Sequence, residues 1–75
     1  MTKADMIEPI VAYEKREELR RSLFLGAMRL KKEYIKKVYD LWLQDEHKDN
    51  YEWRVMISKE CYLYTKMETT KQEKQ

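Results

Sequence analysis

From Ile10 to Leu43 the apolar residues recur at helical spacing, with no proline in between. Taking Lys15 as origin and stepping about 100° per residue, the positions Leu19, Leu30, Leu23, Leu41, Tyr34, Ala27, Val38, Phe24, Trp42, Ile35, Met28 and Tyr39 fall inside one arc of about 200°. Lys15, Lys37, Arg29, Lys36, Lys32 and Arg21 fall on the complementary arc or at its edges. Glu, Lys, Arg, Leu, Ala and Met, all good helix formers, dominate the stretch. The pattern predicts one long helix over about residues 6–44. Thr2 with Asp5 three residues on, followed by Glu8-Pro9, reads as its entrance, since proline is tolerated where a first-turn N–H has no partner.

Two features qualify that helix. Its apolar arc is wider than the ~100° stripe that one packing partner covers, so it is expected to pack on two sides. Gly26 sits mid-pattern and costs roughly 1 kcal/mol against Ala in a helix interior. It marks a possible bend, or a place where a neighbouring helix comes close; the coherent phase across it favours a single helix.

Residues 45–50, Asp-Glu-His-Lys-Asp-Asn, break the apolar pattern and read as an acidic connection. Asp49 with Glu52 resembles a capping box for a second helix over about 50–68, antiparallel to the first. On it Trp53, Met56, Ile57, Cys61, Leu63, Tyr64 and Met67 cluster on one side, with Tyr51, Val55 and Tyr62 opposite. The alternation of Tyr51, Trp53, Val55 and Ile57 also permits a β-hairpin over about 51–67, turning at Ser58-Lys59-Glu60, although no Gly or Asn marks the turn. Residues 69–75 carry no apolar side chain and read as a frayed polar tail. The expected fold class is therefore all-α: a single domain over 1–68, a helical hairpin or small bundle, with an α+β version carrying the hairpin as the alternative.

Composition adds limits. The 75 residues are 43% apolar and 40% charged, with one Gly, one Pro and one Cys. That excludes a disulfide scaffold and a Gly/Pro-rich linker. So short a chain buries only about 60% of its unfolded surface, and self-association, most simply a dimer, would complete the core. The longest apolar run, around Leu23-Phe24-Leu25, is far below the ~20 residues of a membrane span. The first five residues hold an acid and no apolar signal core, and Cys61 has no partner to pair with. A cytoplasmic protein without membrane association is the expectation.

The net charge of +2 hides a block pattern: residues 15–37 hold nine bases and three acids, while residues 38–52 hold one base and five acids. Within the exposed arc, Arg29 with Glu33, Glu33 with Lys36 and Lys37, Lys36 with Asp40, and Glu17 with Arg20 and Arg21 sit at ion-pair spacing, as a solvated face requires.

Candidate chemistry is sparse. Asp45, Glu46, His47 and Asp49 are four potential metal ligands in five residues, but no complete ligand set follows, so a solvated acidic loop is the expected reading. Cys61 and His47 form a formal dyad that nothing orients. One glycine cannot build a phosphate loop. The chain is expected to be no enzyme, with no catalytic residues, no metal and no cofactor.

Two binding functions remain. The basic block offers Arg21, Arg29, Lys32 and Lys36 to a nucleic-acid backbone, with few polar side chains suited to base edges. The six Tyr, two Trp, one Phe and four internal Met favour a protein interface instead. Tyr51, Val55 and Tyr62, opposite the main stripe of the second helix, are the candidate contacts, with Leu25 and Leu43 from the apolar surplus of the first. No motif carries a family resemblance. In general character the chain resembles small Lys/Glu/Tyr-rich, Gly-poor proteins of phages and mobile elements, and that likeness implies action by binding a host or phage protein. The leading expectation is a small non-enzymatic regulator or inhibitor that docks on a larger protein partner; the alternative is a small nucleic-acid-binding regulator.

Overall fold

The structure, a computed structural model, describes residues 1–62 and 64. It is all-α. Four helices follow in order among the described residues: α1 (Lys3–Val11), α2 (Glu17–Ala27), α3 (Lys32–Gln44) and α4 (Tyr51–Met56). They pack around one core.

The long helix over 6–44 is corrected by this arrangement. The stretch is three helices, broken at 12–16 and at 28–31. Local propensity does not demand either break, since Ala, Glu, Lys and Arg fill the first. The reason is the width of the apolar arc. A straight helix cannot bury about 200° of apolar surface in a chain this short, whereas three shorter helices bury one another's faces. Local devices then hold the breaks open. At the first, the Glu14 N–H donates to Val11 O (2.9 Å), and the Glu14 carboxylate takes the Arg16 backbone N–H (3.0 Å), leaving Arg16 extended as N-cap of α2. At the second, the turn tightens through Arg29 N–H to Gly26 O and Leu30 N–H to Ala27 O. The Lys3 ammonium, from the start of α1, donates to the carbonyls of Met28 and Leu30 just after α2. It satisfies acceptors that a helix end leaves open and favours the dipole there.

The entrance at Thr2 forms as a capping box. Asp5 N–H donates to Thr2 Oγ1 (3.2 Å) and Thr2 N–H to an Asp5 carboxylate oxygen (3.1 Å). The helix starts earlier than the pattern suggests, so Pro9 stands near the end of α1 rather than in its first turn. Met6, Ile7, Ile10 and Val11 are all buried, and α1 packs against both α2 and α3 at the centre of the molecule.

Residues 45–50 connect α3 to α4. Both tryptophans pin the connection: Trp42 Nε1–H donates to Lys48 O (3.0 Å) and Trp53 Nε1–H to Asp45 Oδ2 (2.7 Å). Asn50, not Asp49, caps α4 by accepting the Glu52 N–H (3.0 Å). The β-hairpin over 51–67 is not supported, because 51–56 is helical and no strand occurs among the described residues. The helix over 50–68 is also corrected: α4 stops at Met56, and Ile57–Cys61 run as a turn whose Ile57, Ser58 and Cys61 are buried. The expected polar tail at 69–75 lies outside the described residues.

Gly26 lies in the last turn of α2, where the turn 57–61 crosses it. A Cβ built there would stand 2.9 Å from Cys61 Cβ, 3.0 Å from Cys61 N and 3.0 Å from the Glu60 carbonyl carbon. The glycine serves close approach, by a loop rather than a helix, and not a bend. The core around it comprises Ile7, Ile10, Leu23, Ala27, Ile35 and Ile57, all fully buried, with Leu19, Val38, Trp42, Cys61 and Tyr64 nearly so.

Candidate protein-docking surface

Leu25 stands on the outer side of α2, away from buried Leu19, Leu23 and Ala27, and is 59% exposed. Ser22, Leu25 and Gly26 follow at i, i+3 and i+4, with Arg29 in the turn after the helix, so they form one stripe. The turn after α4 lays Glu60, Cys61 and Tyr62 along that stripe. The result is a groove of about 390 Å³ lined by Ser22, Leu25, Gly26, Arg29, Glu60, Cys61 and Tyr62. Tyr62 is 76% exposed. At the floor, Cys61 Sγ lies 3.4 Å from Ser22 Oγ and the thiol is buried. Leu25 and Tyr62, far apart in sequence, are thus brought together.

The other interface candidates are exposed elsewhere. Tyr51 and Val55 share one face of α4 at i and i+4, and Met56 beside them is also exposed, so α4 buries none of its own residues fully. Leu43 is exposed near the end of α3 together with Leu41. The two stand about 200° apart around the helix, flanking the buried Ile35, Val38 and Trp42, so they cannot form one patch. Leu41, Met56 and Tyr13 are also exposed, although the sequence pattern places Leu41 and Met56 on packing stripes. Leu41 lies inside the apolar arc, and Met56 lies on the stripe that a longer second helix would have buried.

The four basic candidates, Arg21, Arg29, Lys32 and Lys36, are all exposed and come from α2, its following turn and α3. Two of them face their own carboxylates: Arg21 to Glu17 (3.9 Å) and Lys36 to Asp40 (3.0 Å). A second and larger groove, about 470 Å³, runs between α1 and α2 over Val11, Ala12 and Phe24, rimmed by Glu8, Glu17, Arg20 and Arg21. Its charges are largely used within the molecule, since Arg21 faces Glu17 and Arg20 donates to Glu14 O (3.3 Å). By contrast, neither Arg29 nor Glu60 makes an ion pair among the described residues.

Three carboxylates are held below their ordinary pKa. Burial acts to raise that of Glu14, only 5% exposed, but the hydrogen bonds from the Arg16 guanidinium (3.0 Å) and backbone, with the charges of Arg16 and Arg54, outweigh it. Asp45 is lowered first by the His47 N–H (2.9 Å), then by the Trp53 indole. Asp5 is lowered by the Thr2 cap. Each of these groups organises a turn or a helix end. Among the described residues no three His, Cys, Asp or Glu side chains gather to hold a metal ion, and Asp45 already accepts two hydrogen bonds from the chain itself. Cys61 contacts Ser22 rather than a base.

The fold and this surface define a small all-α protein with one core and an apolar groove beside its second helix. No helix among the described residues is long and apolar enough to cross a membrane. Compared with known proteins, the chain matches no family, no curated relative and no solved structure.

Proposed function

We propose that this is a non-enzymatic binding protein that docks on a larger protein and modulates it by covering part of its surface. The observation that supports this most strongly is the groove that joins Leu25 and Tyr62, two of the three most exposed large apolar side chains among the described residues. Leaving such residues in water, on a surface otherwise rich in charge, is the pattern of an interaction site. The Tyr51–Val55 ridge of α4 is a separate exposed apolar face. The buried thiol of Cys61 fits a reducing compartment, and the cytoplasm is the proposed location. The rival reading, contact with nucleic-acid phosphates through Arg21, Arg29, Lys32 and Lys36, has less support because Arg21 and Lys36 are already paired with carboxylates.

Photocrosslinking from the native host tests the proposal. A photoreactive side chain at position 25 is expected to give a saturable adduct with a specific larger protein, lost on Tyr62→Asp, while one at Glu33 gives none. Indistinguishable adducts from positions 25 and 33 would overturn it, as would salt-sensitive capture of RNA or DNA from position 25 in place of protein.

A further inference from the structure

The groove beside α2 carries an apolar side chain and a charge on each of its two walls. Leu25 and Arg29 come from the α2 side, and Tyr62 and Glu60 from the chain that follows α4. Neither charge is paired within the chain among the described residues. A surface with a base and an apolar side chain on one wall and an acid and an apolar side chain on the other is complementary to itself. A two-fold axis along the groove sets the α2 wall of each copy against the other wall of its partner, so that Arg29 of each faces Glu60 of the other and Leu25 faces Tyr62. Such a closed, isologous contact is the commonest form of self-association.

We infer that a second copy of this chain occupies the groove, forming a two-fold dimer through reciprocal Arg29–Glu60 pairs around a Leu25–Tyr62 centre. This rests on the groove being a protein-docking surface, and it makes dimerisation a competitor of any larger partner at that surface. Seven residues line the groove, against roughly 20–30 per side in a standard stable interface. The dimer is therefore weak, with a dissociation constant of about 10 µM to 1 mM, and it opens on dilution.

Sedimentation equilibrium on the full purified chain, up to about 2 mM, reads the result. The mass should rise from 9.3 kDa toward twice that value with concentration. Arg29→Glu alone sets two acids against each other at both ends of the contact, and Glu60→Arg alone sets two bases, so each should weaken association about tenfold or more. An equimolar mixture of the two single variants should recover it, because every cross-pair is then opposite in sign. Both positions are exposed, and an unchanged circular-dichroism melt of each variant at low concentration confirms that the fold is intact. A mass fixed at 9.3 kDa throughout would overturn the inference. So would single variants that associate like the parent, or a mixture that gains nothing. A monomer that still crosslinks to a larger protein from position 25 would refute the pairing and leave the docking proposal standing; a dimer without such an adduct would do the reverse.

Discussion

Glu14 shows how one side chain can place a helix boundary. Its carboxylate takes three hydrogen bonds from Arg16 and so fixes the chain as it leaves α1. Glu14→Gln should lower stability by about 1–3 kcal/mol in chemical denaturation, because charge-assisted bonds in a buried place are lost. Folding depresses this pKa, so the unfolded chain binds the proton more readily. The stabilising contribution is complete above the ordinary value of 4.5 and disappears as pH falls through the folded value. Denaturation midpoints should therefore drop on acidification from about pH 5, and less steeply in Glu14→Gln. Gly26 is a second decisive residue. Gly26→Ala gains up to about 1 kcal/mol of helix propensity, but the added methyl meets backbone atoms of residues 60 and 61 at 3.0 Å. The overpacking cost of roughly 1–3 kcal/mol should win, giving a lower melting temperature and a displaced turn at 57–61. The sequence marks Gly26 as unusual, yet only the position of Cys61 across from it tells a bend from a close approach.

At the scale of the element, the helical period is plain in the sequence and its interruption is not. Residues 15–43 keep one phase because α2 and α3 each turn their apolar side to the same core, and the turn between them happens to preserve register. The bonds that break the pattern come from distant groups, Lys3 above all, which no local window contains. The end of α4 was hidden for a similar reason. Ile57, Cys61 and Tyr64 are buried as a helix to residue 68 would require, but a tight turn delivers Ile57 and Cys61 to the core. The break before α3 makes a sharp prediction. Lys32 is the first residue of α3, and Lys31 before it has φ −65° and ψ 141°, a conformation suited to precede proline. Lys32→Pro should leave stability unchanged or raise it by about 0.4–1 kcal/mol in a thermal melt. In one continuous helix the same change would cost about 3 kcal/mol.

For the molecule as a whole, the candidate contacts Leu25, Tyr62, Tyr51, Val55 and Leu43 could be picked from the sequence as apolar positions left over from the packing stripes, and each is exposed. Their grouping could not. Leu25 and Tyr62 meet because α2 and the turn after α4 cross at Gly26, while Leu43 stands on a separate flank of α3. The charges follow the same logic. A +6 block beside a −4 block in sequence becomes, after folding, a set of local pairs such as Lys36–Asp40, with Arg29 and Glu60 left on the groove. Leu25→Asp should therefore keep the fold, with a melting temperature unchanged within about 2 °C as for a surface substitution, and abolish association.

The most direct measurement is an amide-resolved NMR concentration series on the isotopically labelled chain. If the groove beside α2 is the contact surface, concentration-dependent shifts will cluster at residues 22–29 and 60–62 and vanish in Leu25→Asp. Shifts centred instead on Leu41 and Leu43 of α3, or none at any concentration, would contradict the inferred dimer.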